Sequence, residues 1–162
     1  MRTLMMTQTI GTPTKFDHAH MQTAEVYAKL SSAERLKVGC IIVKENRIIS
    51  IGYNGMPSGW TNECETWTSN VSFDVHDDDR DVYGELKTKP EVLHAETNAI
   101  AKVARSYESA VDSVLYCTHA PCLDCAKLIY QSGVSKVFWR YKYKCDAGIK
   151  FLGDCNIDCV QI

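Results

Sequence analysis

Residues 113–141 read SVLYCTHAPCLDCAKLIYQSGVSKVFWRY, from Ser113 to Tyr141. Ser113–Thr118 and Lys136–Tyr141 are short runs of β-branched, aromatic and apolar residues, and both predict strands. Between them Cys122–Gln131 sets Ala126 and Ile129 one helical turn apart, and Gly133 stands just past the end, where helices commonly stop. A helix of that length between two strands is a βαβ crossover. The two strands therefore run parallel, and a parallel pair needs helices on its faces.

Working outward, Lys37–Val43 and Arg47–Tyr53 predict two more strands, joined by the polar turn Lys44-Glu45-Asn46 as a β-hairpin. Asp17 is the expected N-cap of a helix running to about Leu30, with Met21, Ala24 and Ala28 inward. A helix from Ala95 to about Tyr107 stacks Ala95, Ala99 and Val103, with Ile100 beside them. The tail suggests a helix over Asp146–Leu152 and a last strand over Ile157–Ile162. The sum is α/β: a three-layer α-β-α sandwich with a mixed five-stranded sheet. Residues 1–15 read as a loose N-terminal arm. Residues 61–92, with the acidic cluster Asp74, Asp77, Asp78, Asp79 and Asp81, read as an irregular, solvated insertion with short helical turns at most.

At 162 residues, with no internal repeat, the chain is expected to be a single domain, residues 1–162. A net charge of −2 argues against polynucleotide or anionic membrane as partner. No apolar run is long enough to span a bilayer, and Met1–Lys15 lacks a signal-peptide core, so a cytoplasmic location is expected. In that setting the eight cysteines read as metal ligands or free thiols, not disulfides. Cys40, Cys64, Cys117, Cys145, Cys155 and Cys159 have no clear ligand spacing.

Cys122 and Cys125 do. They stand in Pro121-Cys122-Leu123-Asp124-Cys125, and upstream lies His94-Ala95-Glu96. H-x-E with P-C-x-x-C is the pattern of zinc-dependent deaminases. Three ligands leave one corner of a tetrahedron for water, as catalytic zinc requires. Both halves fall at predicted helix N-termini, where the helix dipole favours thiolate over thiol. Two thiolates cancel the charge of Zn²⁺, so such a site polarises water less than a three-histidine site does, and a base is needed. Glu96 is placed to take the water's proton and pass it to the ring nitrogen of an aminopyrimidine.

The chain resembles the cytidine/deoxycytidylate deaminase superfamily in His94-Ala95-Glu96-Thr97-Asn98-Ala99-Ile100 and in Pro121-Cys122-Leu123-Asp124-Cys125-Ala126-Lys127. Gly52-Tyr53-Asn54-Gly55-Met56-Pro57-Ser58-Gly59 is similar to a loop of deoxycytidylate (dCMP) deaminases, phage-encoded ones included. The resemblance runs from about Leu36 to Tyr143, interrupted by 61–92. It implies hydrolysis of dCMP to dUMP and ammonia for thymidylate synthesis, in the cytoplasm (the host's for a phage protein). It further implies a homo-hexamer, activation by dCTP, inhibition by dTTP, and Mg²⁺ accompanying the regulatory nucleotide. By the same resemblance Asn54 meets the sugar, the backbone at Ala95 approaches the base and Tyr143 lines the substrate pocket. Gly55 and Met56, with Asn98 and Arg105, then lie near subunit contacts and the regulatory site. Some phage relatives hold a second, structural zinc through two Cys and a His. Here Ala33 occupies the apparent first cysteine position, and Cys64 with His76 makes an incomplete set, so one zinc per chain is expected.

A monophosphate needs a cation, and two clusters offer one: Arg35 with Lys37, and Arg140 with Lys142 and Lys144. Two rivals stay open. One is a deaminase of tRNA adenosine, single-stranded nucleic acid or a free nucleoside. The other is a zinc-stabilised nucleotide sensor without turnover.

Overall fold

The computed structural model describes residues 12–69 and 84–162. The elements are α1 (Lys15–Ala28), β1 (Gly39–Lys44), β2 (Arg47–Tyr53), β3 (Glu65–Ser69) and β4 (Gly84–Thr88). They continue with α2 (Ala95–Ala104), β5 (Val114–His119), α3 (Leu123–Gln131), β6 (Lys136–Tyr141), α4 (Ala147–Asp154) and β7 (Asp158–Gln161). The main sheet has the order β2-β1-β5-β6-β7. β1 pairs antiparallel with β2 and with β5, while β5–β6 and β6–β7 are parallel. The mixed five-stranded sheet and the parallel crossover are as the sequence implies.

Alternate side chains of each strand point to opposite faces, and the two faces carry separate cores. Cys40, Ile42, Leu115, Cys117 and Val137 pack under α2, α3 and α4, against Ala99, Val103, Ala126, Ile129 and Leu152. Ile41, Val43, Tyr116, Phe138 and Val160 pack under α1, against Met21 and Ala24. That is the three-layer sandwich. The β1–β2 turn puts Glu45 and Asn46 at φ 51° and 59°, the two left-handed residues of a type I′ hairpin.

Two expectations change. Asp17 is not the cap of α1. Thr14 is: its hydroxyl accepts from the Asp17 amide at 3.3 Å, and Asp17 Oδ2 accepts from the Thr14 amide at 2.7 Å. This is a capping box with Asp at the third helical position, so the helix begins before the arm was expected to end. Residues 1–11 lie outside the described residues. Nor is 61–92 wholly irregular. β3 and β4 form an antiparallel two-stranded sheet, Glu65 facing Thr88 and Trp67 facing Leu86. Its residues are largely half-buried or exposed, so no buried-face alternation marks the two strands. The acidic cluster and His76 lie outside the described residues.

Candidate active site

β5 ends at His119, and the next three residues turn the chain into α3. Cys122 is the N-cap of α3 and His94 the N-cap of α2, both with extended backbone and neither spending its side chain on the cap. The two helix N-termini meet. His94 Nδ1 lies 3.3 Å from Cys125 Sγ and 3.6 Å from Cys122 Sγ. Among the described residues this is the one group of His, Cys, Asp or Glu ligand atoms that converges on a common point. A thiolate and an imidazole on one tetrahedral zinc stand about 3.5 Å apart at ordinary bond lengths. The three donors therefore fit that ion, with Nδ1 as the histidine's donor.

The three donors share charge and protons unevenly. Hydrogen bonds from the Cys125 thiol and from His94 bring the Cys122 thiol down to about 4, so Cys122 carries the thiolate. Cys125, bonded to that sulfur and largely buried, is pushed up. The hydrogen bond to Cys122 raises His94, with the Glu96 charge adding to it. Glu96 is 5% exposed, and burial lifts its carboxyl above the usual range. A raised carboxyl pKa suits a group that must both take and return a proton near neutral pH.

Close packing holds these groups. A Cβ on Gly52 would lie 2.0 Å from the Ala95 carbonyl oxygen, so only glycine lets β2 approach the start of α2. A Cβ on Gly148 would lie 2.1 Å from the Pro121 carbonyl oxygen, so α4 is pressed against the ligand loop in the same way.

The groups open into a cleft with an empty volume of about 580 Å³, its open mouth included. Asn54, Ala95, Glu96, His94, Cys122 and Tyr143 all line it, so the predicted catalytic, metal and substrate residues come together. Asn54 is held from both ends: its Oδ1 accepts from Val38 N at 2.8 Å, and its Nδ2 donates to Leu36 O at 2.8 Å. One amide hydrogen remains for a ligand.

Gly55, Met56 and Asn98 line a second cleft instead, with Tyr53, Trp60 and Lys102. Arg105 caps the far end of α2, outside that lining. Ala33 and Cys64 pack with Val92 in a small apolar cluster.

Sequence reasoning missed three polar residues of the first cleft, Glu65, Thr88 and His119, beside its apolar lining. The first two arrive on the β3–β4 hairpin. The Thr118 hydroxyl accepts from Gly39 N at 3.1 Å and stands 3.1 Å from His119 Nδ1. The hydroxyl can donate to Nδ1 or accept from it, so the contact orients the neutral ring in either tautomer. Burial lowers the His119 pKa, which favours that neutral form.

A family profile described as "Cytidine and deoxycytidylate deaminase zinc-binding region" matches residues 14–141. The chain belongs to this family. Among deaminase relatives, the deoxycytidylate deaminase of Enterobacteria phage T4 is 34% identical over 148 residues, covering 76% of each chain. The human deoxycytidylate deaminase is 36% identical over 126 residues, covering 76% of this chain and 64% of the relative. Among solved structures, the dCMP deaminase of cyanophage S-TIM5 in complex with dCMP and dUMP superposes with a TM-score of 0.79. It is 39% identical and covers 94% of this chain and 100% of its own. This deaminase fold also extends to Acinetobacter baumannii RibD, at a TM-score of 0.63 and 21% identity over 91% of this chain and 35% of that one.

Proposed function

We propose that this deaminase, acting as one domain, hydrolyses dCMP to dUMP and ammonia. One observation carries the reading: a buried carboxyl, Glu96, lines the same cleft as His94 and Cys122, two of the three donors that converge with Cys125. The family match, and a cyanophage relative solved with dCMP and dUMP, support the choice of substrate.

His94, Cys122 and Cys125 would hold one zinc ion. When bound, zinc acts as a Lewis acid that lowers the pKa of water. The chain's own residues do the rest. Ala95 at the helix start and the spare Asn54 amide hydrogen orient base and sugar, and Tyr143 closes the side of the cleft. Glu96 takes a proton from the attacking water and delivers it to the ring nitrogen beside the amine-bearing carbon. It then moves a second proton to the amine, which leaves as ammonia while the carbonyl of uracil forms. Burial excludes bulk water from that exchange.

The second cleft is proposed to take the regulatory nucleotide, dCTP activating and dTTP inhibiting, with Mg²⁺ on the triphosphate. Support comes from its lining: the aromatic rings of Tyr53 and Trp60 beside the cation Lys102, whose Nζ stands 5.8 Å from the Tyr53 ring centre. A homo-hexamer and a cytoplasmic location belong to the same proposal. Among the described residues, no helix is long and apolar enough to cross a membrane.

The test is a substrate panel: zinc-loaded protein with dCMP, deoxycytidine, guanine or RNA, each with and without dCTP or dTTP, scored by ammonia release. Release from dCMP in preference to the others supports the proposal. Release from RNA alone, or from none, overturns it.

A further inference from the structure

Apart from histidine, no basic side chain lines the cleft, yet the proposed substrate brings a doubly charged phosphate. Arg35 is a cation anchored to a residue of the cleft. Its Nη1 donates to Thr88 Oγ1 at 3.1 Å, and Thr88 is a cleft residue, as is the adjacent Leu36. The main chain there is clamped as well. Glu65 Oε1 accepts from Arg35 N at 3.3 Å and Oε2 from Glu34 N at 3.2 Å. The one carboxylate of the hairpin that faces the cleft is thus bonded to backbone, and it positions Arg35 instead of neutralising it. Among the described residues, no carboxylate lies within ion-pair distance of the Arg35 guanidinium.

The other arginine candidate is spent. Arg140 Nη1 pairs with Glu25 of α1 at 2.7 Å, and its Nε donates to Ile162 O at 3.3 Å. Lys142 and Lys144 flank Tyr143 but are exposed and make no hydrogen bond or ion pair among the described residues. A phosphate is better matched by a planar guanidinium fork already anchored at one nitrogen than by a point charge on a free stem.

We propose that Arg35, anchored on Thr88 and Glu65, binds the 5′-phosphate and so makes the site select nucleotide over nucleoside. The proposal rests on the dCMP reading above. The test compares zinc-loaded wild type, Arg35→Gln and Arg35→Lys on dCMP and on deoxycytidine, with calorimetric titration of dUMP as a second readout. Arg35→Gln is expected to raise KM for dCMP about 10- to 100-fold with kcat little changed, and to leave deoxycytidine kinetics as they were. Arg35→Lys should recover part of that loss. Equal losses on both substrates would make Arg35 structural, and an unchanged KM for dCMP would move the phosphate elsewhere; either overturns the proposal. A wild type that fails on dCMP defeats the substrate reading instead. In that case dUMP binding decides alone: binding weakened by Arg35→Gln upholds Arg35, and binding that is absent or unchanged overturns it.

Discussion

Replacing Gly148 by Ala puts a methyl group where the backbone of the metal-ligand loop already sits. The new Cβ would lie 2.1 Å from the Pro121 carbonyl oxygen and 2.8 Å from that of Cys122, against 3.4 Å or more in ordinary contact. One of the two backbones must move by about 1.3 Å, the difference between those distances. Helix propensity works the other way, since Ala is favoured over Gly inside a helix by about 1 kcal/mol. Forcing extra carbon into a packed interior costs about 1–3 kcal/mol, and more when the obstacle is main chain. The clash should win, leaving a net loss of about 2 kcal/mol and a fall in Tm of about 4–8 °C for a domain of this size. The more telling effect is local. Cys122 is the N-cap that the movement displaces, and a shift of about 1 Å in a reacting group can cost about 100-fold in rate. The assay is zinc retention under a competing chelator, read beside the thermal melt and dCMP turnover. Gly153→Ala is the matched control: it sits in the same helix, with nothing within 4 Å of its added Cβ. Gly148→Ala should lose zinc faster than wild type, and Gly153→Ala should not. If Gly148→Ala keeps both its melting temperature and its zinc, α4 does not brace the ligand loop and the packing argument is wrong.

Glu96→Gln should cut turnover by about 100- to 10,000-fold while zinc stays bound, because in the proposed mechanism the side chain moves protons and is not a ligand; metal analysis showing an empty site would give Glu96 a structural role. Leu115 is fully buried on β5, the central strand of the main sheet, so Leu115→Ala should destabilise by about 2–5 kcal/mol in a denaturant melt. For Asp17, burial pushes the carboxyl up. Hydrogen bonds from the Thr14 and Tyr116 hydroxyls and the Thr14 amide outweigh it, so the folded pKa lies below 3.8. A lowered carboxyl pKa contributes stability that is fully present above the unfolded value and is lost as pH falls through the folded one. The gap in Tm between wild type and Asp17→Asn should therefore be constant near neutrality and shrink below about pH 3.8. A gap that persists unchanged into strong acid would refute that linkage.

Local patterns carried much of this chain. Short apolar and β-branched runs marked the strands of the main sheet and three-to-four spacing marked the helices, because the inner strands are covered on both faces while a helix buries one stripe. The cluster of His94, Cys122 and Cys125 was legible because His94-x-Glu96 and Cys122-x-x-Cys125 each hold their geometry within one helical turn. The cap of α1 was legible too, in the Thr14-to-Asp17 spacing, but Asp17 drew the assignment one turn late.

What lay beyond the sequence were the relations between distant segments that no motif links. The β3–β4 hairpin is polar and mostly exposed, so no periodic burial announces it; yet it carries Glu65 and Thr88 to the cleft rim. Arg140 and Arg35 look alike as charges, and only the fold pairs the first with Glu25 and anchors the second on Thr88. Gly148 reads as a poor helix residue until α4 is seen against Pro121. The amino-acid order by itself determined which side chains could do the chemistry and which elements present them, since those depend on neighbours a few bonds away. Tertiary structure alone decided which charges are free and which backbones touch, because those depend on distances that only the packed sheet and helices set.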